Sequence, residues 1–272
     1  MSIITPEEYY RQKPPPGTQL NRNHPLAAGL VGCWVMNEGN GLYTYDSSGF
    51  GNHVFLYNTA DPPTPTSGWV SGEDGTAIAF DGNDYIYAGG NSQVLKPEVV
   101  SVCVWVKMAG TGENYGRIIC KAVSAGSGYG SYQIFTWAGG ARKPTFVVQT
   151  SSGYTYVDPS SLAALDEGWH QVVGTYDGVT LRLYWDGVYK GLKVWSGSLV
   201  YDNGSLLFGQ DAQYLANYTG LLGMASIYNR VLSDGEILQL FLAPYGMFEQ
   251  PSQPIWIAPA VEAYVPQIMM MI

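Results

Sequence analysis

Between residues 170 and 194 the chain runs through three short alternating stretches, each set off from the next by an Asp-Gly pair. His170–Tyr176 leads to Asp177-Gly178, Thr180–Trp185 leads to Asp186-Gly187, and Val188–Val194 follows. Asp-Gly accepts the positive φ of tight hairpin turns, so the pattern predicts an antiparallel three-stranded meander. In its middle strand Leu181, Leu183 and Trp185 share one face, and Arg182 and Tyr184 share the other. An apolar sheet face needs a second layer to cover it, so the meander implies a larger β structure.

The rest of the chain supplies that structure. From Leu30 onward, short runs of Val, Ile, Tyr and Trp recur between Gly, Asn, Asp and Pro, with little helical periodicity. In 99–107, Val102, Val104 and Val106 face one way and Cys103 and Trp105 the other. Both faces are apolar, which predicts a central strand covered on both sides. One helix is expected. Ser233-Asp234-Gly235-Glu236 forms a capping box, Leu232 and Ile237 take the staple positions, and Ile237, Leu240 and Phe241 line one face before Pro244 ends it. The predicted fold class is all-β: an antiparallel two-sheet sandwich with one short C-terminal helix.

Two segments flank it. Residues 1–25 read as an arm, because Lys13-Pro14-Pro15-Pro16-Gly17 favours extended backbone. The sandwich spans 26–243. Residues 244–272 form a tail broken by Pro244, Pro251, Pro254, Pro259 and Pro266 yet rich in apolar side chains. A solvated tail would not be so apolar. Tyr245, Met247, Phe248, Ile255, Trp256 and Ile257 are therefore expected to pack on the chain's own domain or on a neighbour, as anchoring residues.

Composition excludes several classes. With 22 acidic against 13 basic residues and a net charge of −9, the chain has little with which to neutralise phosphates, so no nucleic-acid partner is expected. No run approaches the ~20 apolar residues of a membrane span. The N-terminal residues lack the basic and apolar regions of a secretory signal, which predicts synthesis in the cytoplasm. Cys33, Cys103 and Cys120 show no metal-type spacing; buried free thiols are expected, with a Cys33–Cys103 bridge as the alternative.

Four motifs in order then resemble a known family. Leu30-Val31-Gly32-Cys33-Trp34-Val35-Met36-Asn37-Glu38-Gly39-Asn40-Gly41, followed by Asp46-Ser47-Ser48-Gly49-Phe50-Gly51-Asn52-His53, resembles the opening of laminin G-like, concanavalin A-like jelly-roll domains. Phe80-Asp81-Gly82-Asn83-Asp84-Tyr85-Ile86, Trp169-His170-Gln171-Val172 with Leu183-Tyr184-Trp185-Asp186-Gly187, and Ile227-Tyr228-Asn229-Arg230-Val231-Leu232-Ser233 are similar to later segments. The resemblance covers 26–241. This chain departs from it twice: Gly223-Met224 stands where such domains commonly carry Asp-Glu, and Val54 where the first motif usually ends in Gly. The resemblance implies no required cofactor but an optional Ca²⁺, with Asp46 and Asp81 as oxygen ligands, although such an ion wants six to eight. The alternative is that Asp46, Asp81 and Asp84 cap turns.

The tail stretch Phe241-Leu242-Ala243-Pro244-Tyr245-Gly246-Met247-Phe248 resembles the ending of jelly-roll proteins encoded among tailed-bacteriophage structural genes. That resemblance implies a virion location, with other virion proteins or copies of the same chain as partners.

Candidate chemistry is sparse. Glycosidases of this fold need paired carboxylates facing one cleft, and the Glu-x-Asp-x-x-Glu strand pattern is missing. His24, His53 and His170 read as structural, and Gly126-Ser127-Gly128-Tyr129-Gly130 lacks the strand-to-helix setting of a phosphate cradle. Aromatic residues with polar neighbours, Tyr129, Tyr132, Trp137, Tyr154 and Tyr156, suit a glycan or a protein partner, although alternation sends at least half of them to the core. The leading expectation is a non-catalytic virion structural or decoration protein whose sandwich faces outward for glycan or host-surface adhesion. A freestanding carbohydrate-binding module is the alternative, and a glycoside hydrolase the third reading.

Overall fold

The computed structural model describes residues 12–57, 59, 64, 67–72, 75–88, 92–109, 115–122, 130–137, 142–210 and 217–249. In chain order the strands are β1 (Leu30–Trp34), β2 (Tyr43–Thr44), β3 (Val54–Tyr57), β4 (Gly68–Gly72), β5 (Gly75–Asp81), β6 (Tyr85–Ala88), β7 (Val100–Met108) and β8 (Arg117–Lys121). They continue as β9 (Tyr132–Thr136), β10 (Pro144–Thr150), β11 (Gly153–Tyr156), β12 (His170–Tyr176), β13 (Thr180–Trp185), β14 (Val188–Val194), β15 (Leu206–Phe208) and β16 (Thr219–Tyr228), before helix α1 (Asp234–Leu242).

All strand pairs are antiparallel. The first sheet runs β14-β13-β12-β7-β16-β5-β4, with β1 on the second half of β16; the second runs β11-β10-β9-β8-β15-β6-β3-β2. The meander forms as β12-β13-β14. Asp186 and Gly187 both take positive φ (52° and 73°), the geometry of a two-residue type I′ turn. The other turn spans three residues, because Asp177 Oδ1 accepts from the N–H groups of both Val179 and Thr180 and draws Val179 into the loop.

The main core lies between the sheets, where Trp34, Ile78, Val102, Val104, Ile134, Phe146, Val172, Leu183 and Phe208 pack together. The sheets approach so closely at Gly174 that a Cβ there would stand 2.1 Å from the Phe146 ring. A second core covers the other face of the first sheet. Cys103 on β7, Tyr184 on β13 and Met224 on β16 pack there under Ile237 and Leu240 of α1, and Trp105 borders them. The two-faced character of 99–107 is thus realised, with Phe241 stacked on Trp105 at 5.8 Å and 3°. The capping box closes as expected: Glu236 N–H donates to Ser233 Oγ (3.3 Å) and Ser233 N–H to Glu236 Oε2 (2.9 Å).

The arm and the start of the tail complete this second core. Asn21 N–H donates to Met247 C=O (2.9 Å) and Glu249 N–H to Gln19 C=O (2.8 Å), with Leu20 and Phe248 bridged between them. Of the two alternatives, packing on the chain's own domain or on a neighbour, Met247 and Phe248 take the first. Both are buried in their own domain because a helix as short as α1 leaves part of the apolar face uncovered, and Tyr245 packs at the border. Ile255, Trp256 and Ile257 lie outside the described residues. Cys33, Cys103 and Cys120 are buried thiols outside any disulfide, and burial pushes the Cys103 pKa up to about 12. Among the described residues, no helix is long and apolar enough to cross a membrane.

Candidate binding face

One row of residues crosses the outer face of the second sheet. In strand register, Tyr43 lies beside Phe55, Phe55 beside Tyr87, and Tyr87 beside Leu207. The row continues through Cys120, Gln133 and Val147 to Tyr156. Period-two alternation explains why these side chains point away from the core between the sheets, although Leu207, Cys120, Gln133 and Val147 in the middle of the row are buried. In β3 and β6 their neighbours Val54, Leu56, Ile86 and Ala88 take the inward positions and are buried.

Aromatic rings gather at both ends of this face. On β2, β3 and β6 the rings of Tyr43 and Phe55 are 5.2 Å apart, Phe55 and Tyr87 6.0 Å, and Tyr57 and Tyr85 4.9 Å. Tyr45, just past β2, extends the set at 6.4 Å from Tyr43. Tyr43, Tyr45 and Tyr57 are 47%, 55% and 48% exposed, so this ribbon meets solvent. Burial, followed by the neighbouring Tyr57, raises the Tyr85 pKa.

The other end holds part of the set expected from sequence. Trp137 lies 4.9 Å from Tyr156 and 6.3 Å from Phe135, with Tyr115 at 6.1 Å closing the cluster. Tyr154 stands on the same face of β11, half exposed. Tyr132 does not belong to this group. It shares the inward side of β9 with Ile134, is fully buried, and donates its hydroxyl to Leu95 C=O at 3.0 Å. Tyr129 lies outside the described residues. Sequence reasoning passed over the β2–β3–β6 ribbon, although the alternation Val54-Phe55-Leu56-Tyr57 and Tyr85-Ile86-Tyr87-Ala88 carried its signal.

The carboxylates expected to ligate Ca²⁺ are engaged separately. Buried Asp46 accepts from Cys33 N–H (2.9 Å) and Ser48 N–H (2.8 Å) through Oδ1, and from Asn52 N–H (3.0 Å) through Oδ2. Exposed Asp81 caps its own turn by accepting from Asn83 N–H at 2.9 Å. Asp84 accepts from Asp81 N–H and Ser67 Oγ, and burial raises its pKa. Asp46 and Asp81 are thus each bonded to backbone N–H groups of their own turns, and among the described residues no group of three or more His, Cys, Asp or Glu side chains could hold a metal ion. His170 sits between two carboxylates, with Nδ1 2.8 Å from Asp186 and Nε2 3.1 Å from Asp166. Asp186 Oδ1 also accepts Gln171 N–H, which ties this cluster to the I′ turn.

Comparison with known proteins places this architecture. The chain resembles domain 4 of AbnA, an extracellular GH43 arabinanase from Geobacillus stearothermophilus solved with arabinotriose, at 18% identity and TM-score 0.58, covering 79% of this chain and 98% of that one. It resembles the botulinum neurotoxin serotype D binding domain at 17% identity and TM-score 0.58, covering 79% of this chain and 52% of that one. Trypanosoma rangeli sialidase, solved with the inhibitor DANA, matches at 13% identity and TM-score 0.58, covering 81% of this chain and 34% of that one. The chain thus spans about half of the toxin binding domain and a third of the sialidase. No curated protein matches it in sequence. The laminin G-like family profile of the concanavalin A-like lectin/glucanases superfamily matches residues 80–238, more than half of the chain, and the protein belongs to that superfamily.

Proposed function

We propose that this protein is a non-catalytic glycan-binding domain whose binding surface is the aromatic ribbon of Tyr43, Phe55, Tyr57, Tyr85 and Tyr87. The observation that carries the reading is that these rings line up, partly exposed, on one outer sheet face. Pyranose and furanose rings offer apolar C–H faces that stack on aromatic rings, while tyrosine hydroxyls meet their hydroxyls. Neutral tyrosines on a chain of net charge −9 favour neutral saccharides over anionic ones. An arabinotriose complex of domain 4 of AbnA supports the class of ligand. The non-catalytic part is supported by the strands: Asp81, at the end of β5, is the one carboxylate inside a described strand, whereas hydrolysis needs two facing one cleft.

Titration calorimetry against a panel of neutral oligosaccharides tests this. Tyr57→Ala and Tyr87→Ala are each expected to weaken binding roughly 5–10-fold without loss of fold. Retained affinity in both variants, with loss on Trp137→Ala instead, would move the site to the β9–β11 end. The setting we propose is display on a tailed-phage particle, supported by the resemblance of 241–248 to the endings of such proteins. In that setting residues 250–272 carry the attachment, because Met247 and Phe248 are buried in their own domain.

A further inference from the structure

Four backbone carbonyls converge beneath the arm. Val35 and Met36 come from the loop leaving β1, Thr76 from β5, and Gly223 from β16. Met36 takes φ 54°, a left-handed conformation that is uncommon without glycine. Gly223 falls at the register shift between Leu222 and Met224, where a bulge frees a carbonyl from the ladder with β7. Into this cage runs the side chain of Lys13. Its Nζ lies 2.7 Å from Val35 O, 3.1 Å from Met36 O and 2.6 Å from Thr76 O, and it also donates to Gly223 O. The stem of Lys13 lines a cleft of about 240 Å³ with Trp105, Trp169, Phe241 and Tyr245.

The donor set is oxygen only. An ammonium has three N–H bonds, so four carbonyls exceed its donors. Carbonyl oxygens in such a ring are the ligands of a hard cation. Nearby Glu38 is the charge that favours the protonated form of Lys13, and its buried Oε2 has no partner among the described residues. No carboxylate stands at 223 or 224, so the cage as built is matched to a single positive charge. Burial of that charge lowers the Lys13 pKa to about 7, against the pull of Glu38.

We propose that this cage is a cation site filled by the chain's own ammonium: Lys13 acts as a tethered cation that fastens the arm across β1, β5 and β16. Without the lysine, the same carbonyls and the free oxygen of Glu38 form a site for Ca²⁺. The family resemblance leads one to expect a metal held by Asp46 and Asp81; the structure instead gives the cationic position to a side chain.

The test compares the full chain with Lys13→Ala. The unaltered protein should melt at the same temperature in EDTA and in millimolar Ca²⁺. Lys13→Ala in EDTA should melt roughly 5–10 °C lower, because the carbonyls of Val35, Thr76 and Gly223 lose the donor that Lys13 supplies while Met36 keeps the Thr76 hydroxyl, and Ca²⁺ should restore most of the loss. Tb³⁺, a Ca²⁺ substitute, should give luminescence excited through Trp105 and Trp169 in the variant alone. An unchanged melting temperature, or a loss that no Ca²⁺ concentration repairs, overturns the proposal. Should Lys13→Ala fail to fold, amine acylation of the unaltered protein decides: Lys13 should react at least 100-fold more slowly than exposed Lys193, and equal rates overturn the proposal.

Discussion

At the scale of single residues, Asp46 shows how this fold uses a carboxylate for architecture. Its two oxygens accept three backbone N–H groups from Cys33, Ser48 and Asn52, joining the end of β1 to the turn before β3. Asp46 N–H in turn donates to His53 Nδ1 at 3.1 Å. Replacing it with Ala strands three buried donors, so Asp46→Ala should lose about 3 kcal/mol in chemical unfolding. Asp46→Asn should lose less, because its carbonyl still accepts two of the three while its amide faces the third donor. Asp46 was legible in sequence as either a ligand or a turn cap. Only the partners separate the two readings, since a carboxylate that accepts from three amides has few lone pairs to offer a metal.

At the scale of elements, the helix shows local chemistry at its most readable. Ser233, Glu236, Leu232 and Ile237 lie within five residues of one another, and their spacing alone places the cap and the staple. Arg230 adds what spacing could not show. Its guanidinium makes two bonds to Glu236 (2.9 and 2.7 Å) and its Nε donates to Ala28 C=O, tying α1 to the residues that lead into β1. The Arg230 hydrogen bonds, offset by partial burial and helped by Ser233, hold Glu236 down to about 2. A carboxylate depressed in the folded state stabilises fully above its unfolded pKa near 4.5, and that contribution fades as pH falls from 4.5 toward 2. Thermal unfolding from pH 7 to pH 2 should therefore show a component of about 1 kcal/mol lost in that window. Glu236→Gln should remove the component at neutral pH and flatten that part of the profile.

At the scale of the whole molecule, the described parts of the flanking segments, from residue 12 and up to residue 249, are part of the fold. The arm reaches the second core through Leu20 and the tail through Met247 and Phe248, so one cluster depends on both. A chain ending at Ala243 should be several kcal/mol less stable than one ending at Glu249, because it loses two buried apolar side chains and the bridge to the arm. Solution mass then addresses assembly separately. If residues 250–272 carry attachment, the full chain should form defined oligomers while the chain ending at Glu249 is a folded monomer. Equal monomers would remove the support for attachment through that segment.

The sequence by itself determined the meander, the two-faced central strand, the capped helix and the jelly-roll class. The first three rest on relations between residues two to five positions apart, where alternation, turn chemistry and capping act without reference to the rest of the chain; the jelly-roll class came from the resemblance of four motifs in order over 26–241. The tertiary structure decided which rings face outward. Tyr132 and Trp137 look alike in sequence, yet one is core and the other surface, because a strand's inward parity is set only when its register with neighbours is fixed. It also decided that Tyr43, Phe55 and Tyr87 form one ribbon, and that a lysine from the arm ends among carbonyls from two strands and the loop after β1. Backbone carbonyls carry no signature in a sequence, so a site built from them exists only once the chain has brought its strands together.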